Sequence, residues 1–144
     1  MLFRSWVERD ELKETLHELG IGSIAFLPLA QGMLTGKYLA GIPEGSRATQ
    51  GKSLDPKMIS AKAIAALNGL NDIAAARGQT LAQMAIAWVL RDGGITSALI
   101  GASRPEQVVD CAGAVRTLDF EKEELEAIDR LADEDAFRRW AQEG

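Results

Sequence analysis

The chain has 144 residues, of which 47% are hydrophobic and 26% charged, and its formal net charge is −5. This length suits one domain, and the composition is that of a folded globular protein. The acidic balance argues against broad binding to nucleic-acid phosphates. A single cysteine excludes an intrachain disulfide framework, and no Cys/His cluster offers a zinc site. Because no apolar run is long enough to cross a membrane, we expect a soluble, cytoplasmic protein.

The first predicted elements are a helix and a strand. Leucines at positions 12, 16 and 19 recur at helical spacing, and Gly20 can end that helix in the left-handed conformation. The apolar run at residues 22–27 does not alternate with polar residues and stops at Pro28, which favours a buried parallel strand. Residues 29–55 then form a long glycine-rich loop, and loops of that length inside a domain are usually functional.

Two helices are predicted between the long loop and the next strand. The first runs from about residue 56 to residue 76 and presents a stripe of apolar side chains. Thr80 is a plausible N-cap for the second, whose apolar face extends from Leu81 to Trp88 at helical spacing. We expect Trp88 to pack in the core.

The last part of the chain predicts a second strand followed by two helices. Residues 97–100 form another short apolar run, and Pro105 presets the first turn of the next helix. In that helix Val108 and Val115 face one way, and a final helix runs from about residue 121 to residue 132. Strands joined by helical crossovers form parallel α/β sheets. Two or three strands are too few for such a sheet, so the chain looks like part of a larger α/β architecture.

Two segments that leave the carboxyl ends of the predicted strands are candidate ligand-binding segments. The first, residues 28–38, has glycines through which backbone amides can approach a pyrophosphate, and Lys37 and Arg47 supply positive charge. The second enters a helix N-terminus, where Ser103 and Arg104 add donors suited to a phosphate. Taken separately, the first is explained more simply as a turn, and the second equally well as a capped helix start.

Taken together, the two segments resemble the C-terminal part of the aldo-keto reductases, in the branch that holds bacterial glyceraldehyde-3-phosphate reductases and voltage-gated potassium-channel β-subunits. The resemblance covers nearly the whole chain, and residues 1–144 are expected to form a single partial barrel domain. Residues 12–28 resemble helix six and strand seven, and residues 97–107 resemble strand eight and its phosphate loop. The implied fold class is α/β, a (β/α)8 TIM barrel. A full barrel takes about 250 residues, so this chain would supply about strands 6/7–8 and be incomplete alone.

The resemblance implies that the chain binds NADP(H) at the C-terminal rim of the barrel. The residues that match the family's pyrophosphate and nicotinamide-ribose side, with its closing loop, are Phe26, Pro28, Leu29, Ala30, Gln31, Lys37 and Arg47. Those that match the 2′-phosphate, ribose and adenine side are Gly101, Ser103, Arg104, Gln107 and Asp110. Two departures remove polar groups from the pattern, because Leu27 replaces a hydroxyl residue and Cys111 replaces an asparagine.

The activity implied by the resemblance is reduction of small aldehydes or ketones. The family's proton donor belongs to an Asp, Tyr, Lys and His tetrad in the N-terminal half of the barrel, and no residue here matches it. Tyr38 lies in the cofactor loop, and His17 lies on a helix, off its leucine stripe. We therefore expect no catalytic residue in this chain, which would be inactive alone and supply the NADP(H)-binding half of an oxidoreductase. The alternative is a non-catalytic nucleotide-binding or protein-interaction fragment.

An incomplete barrel has consequences for its partners. Its strands would expose unpaired edges and a barrel-facing side, and such edges recruit other chains. We therefore expect self-association or a complementing half-barrel, and neither a nucleic-acid nor a membrane partner. A helix-turn-helix DNA binder, suggested by the helix at residues 81–88 and the one at Pro105, is disfavoured by the acidic charge and by the strand between them.

Overall fold

The computed structural model describes residues 11–46, 49 and 59–132. The helices and strands follow the predicted order. They are α1 (Leu12–Glu18), β1 (Ile24–Phe26), α2 (Ala61–Ala76), α3 (Leu81–Leu90), β2 (Ser97–Leu99), α4 (Pro105–Ala112) and α5 (Lys122–Leu131). Three 3-10 turns connect them, at Ala30–Thr35, Arg91–Gly93 and Gly113–Arg116. No helix among these residues combines the length and the apolar character that a bilayer crossing requires.

The two strands pair in parallel, which confirms the prediction from their helical crossover. Ile24 lies opposite Ser97, and Phe26 lies opposite Leu99. Each strand has three residues, shorter than the apolar run that predicted it. The first ends early because Leu27 takes a left-handed conformation with φ 55°, which turns the chain away from the sheet before Pro28.

Only one face of this small sheet is covered by described residues. Ala25 is 4% exposed and packs on the core, whereas its neighbours Ile24 and Phe26 are 70% and 66% exposed on the opposite face. Leu99 of β2 is exposed on that face as well. The prediction of a buried strand is therefore correct for one face of β1 and wrong for the other, and the exposed apolar face fits the expected barrel-facing side.

Helix α3 forms the centre of the structure. The hydroxyl of Thr80 accepts a hydrogen bond from the amide of Gln83, which confirms Thr80 as N-cap. On one side of the helix Met84 joins the main core, and on the other Ile86 packs with Cys111 and Ala114. Trp88 is buried as predicted. A helix that is apolar all round must be covered on every side, so α3 is held between α2, β2 and α4.

Three predicted details differ in the structure. Helix α2 begins at Ala61, later than predicted, because the hydroxyl of Ser60 caps it by accepting from the amide of Ala63. No side chain of α1 is fully buried, so its leucine stripe lies at the surface or is only partly covered. In α4, Val108 faces outward together with Val115 of the following turn, whereas the small side chains at 111 and 114 approach α3.

Arg77 fixes the end of α2 against the start of α5. Its side chain is 4% exposed and forms an ion pair with Glu124. Its Nη2 donates to the carbonyl of Asp119 at 2.8 Å, and its Nε donates to Gln79 Oε1 at 2.9 Å. The guanidinium also stacks on the ring of Phe120, 3.7 Å from its centre. These contacts make Arg77 the main polar link between the two helices.

We expect Arg77→Met to lower the free energy of unfolding by about 2–3 kcal/mol, because Glu124 and backbone carbonyls lose a charged donor in a partly buried place. Urea denaturation followed by circular dichroism measures this loss. Lys122→Met is the control: its pair with Glu126 spans 3.8 Å between exposed side chains, so its effect should stay within about 0.5 kcal/mol. Equal losses in the two variants would contradict the role given to Arg77.

Candidate functional site

The two predicted ligand-binding segments begin at the same end of the sheet. Because β1 and β2 are parallel and in register, the chain leaves both at one edge, where ligands of α/β folds bind. Leu29, just after β1, and Ile100, just after β2, pack on one cluster that contains Ile86 and Cys111. The structure thus brings the two segments, which are far apart in the sequence, onto one apolar cluster.

The backbone of the first segment is unusual. Leu27, Ala30 and Gln31 have φ of 55°, 48° and 57°, in the left-handed region that disfavours residues with a Cβ. Each costs about 1–2 kcal/mol, and such conformations persist only where the surroundings enforce them. Pro28 and Met33, in the same turn, have fully buried side chains that anchor it on the core. The turn is therefore held in shape by the core, as in binding loops.

The predicted residues of this segment differ in what they can present to a ligand. Phe26 projects its ring from the open face of the sheet, Lys37 is exposed, and Gln31 is half-buried. Pro28 and Ala30 are buried, and Leu29 is half-buried against the core, so these three can meet a ligand chiefly through their backbone. Arg47 lies outside the described residues.

The second segment holds three hydrogen-bond donors around one point. The amides of Ser103 and Arg104 donate to Oε1 of Gln107 at 2.8 and 3.3 Å, and the Ser103 hydroxyl donates to the same oxygen at 3.2 Å. Gly101, Ser103 and Arg104 are exposed, at the N-terminus of α4 where the helix dipole is positive. Donors that converge on one oxygen suit an oxyanion, and here the Gln107 amide takes that position.

Asp110, further along α4, is turned toward the start of α3. Its carboxylate accepts from the Thr80 hydroxyl at 3.3 Å and from Gln83 Nε2 at 2.9 Å. Sequence reasoning identified Asp110 and Thr80 but missed Gln83. The spacing Thr80-x-x-Gln83 is a capping-box signature that could have drawn attention to it. Its contact with Asp110 depends on how α3 packs on α4, which no local pattern encodes.

The sequence of the chain is similar to those of known proteins. The sequence profile of the Aldo/keto reductase family matches residues 1–133. The chain belongs to this family. It is 45% identical over 143 residues to an L-glyceraldehyde 3-phosphate reductase of Escherichia coli O157:H7, and 44% identical to the one of Escherichia coli strain K12. Each match covers 96% of this chain and 41% of the relative, so the chain spans about two-fifths of their length.

Membership confirms the resemblance drawn from the two segments. The family implies a TIM barrel, and the observed parallel strands joined by helices fit that architecture. The roles of the individual residues around the two segments remain predictions.

At the opposite end of the sheet of this aldo/keto reductase chain lies an open pocket of about 580 Å³. Lys13 of α1 donates to Asp92 there at 2.8 Å, and His17 lines the same space. Burial would raise the pKa of Asp92, but hydrogen bonds from Lys13 and the amide of Gly94, with the charges of Lys13 and Arg91, hold it below its ordinary value. The pair ties α1 to the turn before β2. In the described part of the chain, no three His, Cys, Asp or Glu side chains gather as a metal would require.

The thiol of Cys111 can report on how well α4 covers it. It is 8% exposed, and it is the chain's single cysteine. Burial raises the pKa of its thiol, and the nearby charge of Asp110 raises it further. The folded thiol therefore ionises at a higher pH than an unfolded one, and it lies against Ile86 rather than in solvent.

We expect Cys111 to react with Ellman's reagent at pH 8 at least about tenfold more slowly in the folded chain than in urea, because only the accessible thiolate attacks. The absorbance of the released thiolate measures both rates, and Cys111→Ser gives the blank. The folded rate should rise on raising the pH toward 10. A folded rate equal to the unfolded rate at pH 8 would mean that α4 does not cover the thiol.

Proposed function

We propose that residues 1–144 form a single partial domain, the NADP(H)-binding C-terminal portion of an aldo/keto reductase barrel. In this proposal β1 and β2 are barrel strands seven and eight. Support comes from the family match, from the 41% of the relatives' length that the chain spans, and from the parallel pairing of the two strands. The completed protein would be an oxidoreductase that reduces small aldehydes or ketones, as the name of its relatives suggests.

The observation that carries the proposal is the convergence of donors at the start of α4. Two amides and the hydroxyl of Ser103 point at one position, and the Arg104 side chain is exposed beside it. The residues present therefore fit the adenosine 2′-phosphate of NADP(H), whose oxygen would replace Oε1 of Gln107. A guanidinium next to a doubly charged phosphate adds the strong, charge-assisted part of the interaction.

The first segment fits the other end of the same nucleotide. The exposed ring of Phe26 offers a stacking surface for the nicotinamide, and the left-handed turn at residues 27–31 lets the backbone approach a pyrophosphate. Lys37 and Arg47 would supply its counter-charge. Leu27 and Cys111 each lack a polar group that the family usually has, which would cost about 1 kcal/mol of affinity apiece.

In this proposal the chain binds and orients the nucleotide but moves no proton. NADP(H), when bound, supplies the hydride to the carbonyl carbon. The carbonyl oxygen needs a proton donor nearby, and neither candidate in this chain fits that role. Tyr38 is buried in the core, and His17 lies at the opposite end of the sheet. The donor would come from the N-terminal part of the barrel, so the chain alone is expected to be inactive.

We expect Arg104→Ala to weaken NADPH binding by about ten- to a hundredfold, equivalent to about 1.5–3 kcal/mol, because a charged hydrogen-bond donor to the 2′-phosphate is lost. NADH, which lacks that phosphate, should bind almost unchanged. Titration calorimetry of the full chain with each nucleotide measures both. Arg116→Ala, in the exposed turn after α4, is the matched control and should change neither. Equal losses for NADPH and NADH would refute the assignment of Arg104.

The open face of the sheet favours a second candidate, an interaction fragment without chemistry. Ile24, Phe26 and Leu99 present a contiguous apolar surface. Such a surface is covered in stable proteins, so we propose that a second copy or a complementing half-barrel covers it.

Sedimentation at micromolar concentration should therefore show a dimer or larger assembly, or a complex when an N-terminal half of the relative is added. Leu99→Ser should weaken the assembly at least about tenfold by removing apolar area from the contact. Thr117→Ser, an exposed change away from the sheet, should have no effect. A stable, cooperatively unfolding monomer that does not bind the added N-terminal half would contradict both self-association and the complementing half-barrel. If NADPH oxidation with a small aldehyde appears only in the mixture, the reductase reading is favoured over the interaction fragment.

A further inference from the structure

The side chain of Gln83 joins the start of α3 to α4. Its Nε2 donates to the backbone carbonyl and to Oδ1 of Asp110, each at 2.9 Å. Its Oε1 accepts from the amide of Thr80 at 3.1 Å. A flipped amide would set an oxygen against two acceptors and a nitrogen against a donor. Gln83 therefore has one productive orientation, which all of its partners require.

Thr80 holds the second oxygen of the same carboxylate. Its hydroxyl donates to Oδ2 of Asp110 at 3.3 Å while it accepts from the amide of Gln83 at 3.1 Å. The cap of α3 thus places one donor on each oxygen of Asp110. With both oxygens held, the carboxylate cannot rotate without losing a hydrogen bond.

The space for the Gln83 amide depends on Gly113. A Cβ at this position would lie 2.7 Å from Nε2 of Gln83 and 3.4 Å from its Cδ. Gly113 has φ −61° and ψ −20°, a helical conformation that any residue adopts. Its backbone therefore does not require glycine there, but a Cβ would displace the Gln83 amide from its present position. The Gln83 amide therefore lies in close contact with the residue that follows α4.

The Asp110 carboxylate can still accept hydrogen bonds from a ligand. An ionised carboxylate offers about four lone-pair sites, and the cap of α3 uses one on each oxygen. Asp110 is half-buried rather than enclosed, so its remaining sites can be reached from solvent. A ligand N–H group that approaches α4 would find an acceptor whose direction is already set, with no cost for ordering it.

We propose that Gln83 is a positioning residue for nucleotide recognition: it holds the Asp110 carboxylate in the direction that accepts a hydrogen bond from the exocyclic amine of adenine. This inference rests on the proposed function and on the family resemblance, which assigns Asp110 to the adenine side of NADP(H). Gln83 itself touches no ligand. Its contribution is to the selection of the base, since a fixed acceptor distinguishes an amino group from a carbonyl oxygen at the same ring position.

The test uses the full chain and two nucleotides, NADP+ and its hypoxanthine analogue, in which the adenine amine is replaced by a carbonyl oxygen. Titration calorimetry gives a dissociation constant for each. The unaltered chain should bind NADP+ at least about fivefold more tightly than the analogue, as one hydrogen bond to a charged acceptor implies. Gln83→Met keeps the length of the side chain and removes its hydrogen bonds, so the ratio should fall to within about twofold of one.

If Gln83 has a merely structural role, Gln83→Met should weaken the binding of both nucleotides equally and leave the ratio of their dissociation constants unchanged. That result would overturn the inference. Gln79→Met is the matched control, because Gln79 donates to Thr117 and accepts from Arg77 in another loop. Its ratio should equal that of the unaltered chain. If circular dichroism shows that Gln83→Met is unfolded, Gly113→Ala takes its place, since it displaces the amide without removing it and should lower the ratio too.

The two proposals fail in different ways. If the unaltered chain binds neither nucleotide, the proposed function fails and this inference fails with it. If it binds both nucleotides equally, Asp110 does not accept a hydrogen bond from the adenine amine, and only the inference is overturned. If it prefers NADP+ and both Gln83→Met and Gly113→Ala keep that preference, Asp110 needs no help from α3, and again only the inference is lost.

Discussion

The proposed binding site depends on the parallel pairing of β1 and β2, each of which has three residues. Because Ile24 lies opposite Ser97 and Phe26 opposite Leu99, the segments that follow both strands start at one edge. An antiparallel pairing, or another register, would send them to different places. Two short strands stabilise little by themselves. Their pairing is supported by α3, which is buried all round and packs against β2 and the turn after β1.

At that edge the two segments are held in shape by different means. The first contains left-handed residues next to Pro28 and Met33, whose side chains are fully buried in the core. The second is closed by its own helix, since the Gln107 side chain takes the donors of Ser103 and Arg104. Under the proposed function, this preformed backbone would lower the entropic cost of binding a nucleotide. Helix α4 is in turn held by the cap of α3 through Gln83 and Asp110.

The other face of the sheet, away from the described core, exposes apolar side chains. A TIM barrel of eight strands buries the inner face of every strand, and the described residues contain two strands, β1 and β2. The side chains at positions 24, 26 and 99 are apolar as in a barrel interior, yet they are exposed among the described residues. The surface proposed for assembly and the surface proposed for the nicotinamide therefore meet at Phe26.

Local signals in the sequence determined the helices, their caps and the two strands. Thr80 and Pro105 mark helix starts because a hydroxyl cap and a fixed φ act within one turn, and both were predicted correctly. Motif matching determined the family and named the candidate site. Tertiary packing alone decided which faces are buried: Val108 points outward because Cys111 fits against α3. It also decided the partners of Arg77 and Gln83, since hydrogen bonds between residues 27 or more positions apart depend on how helices meet, which no local pattern records.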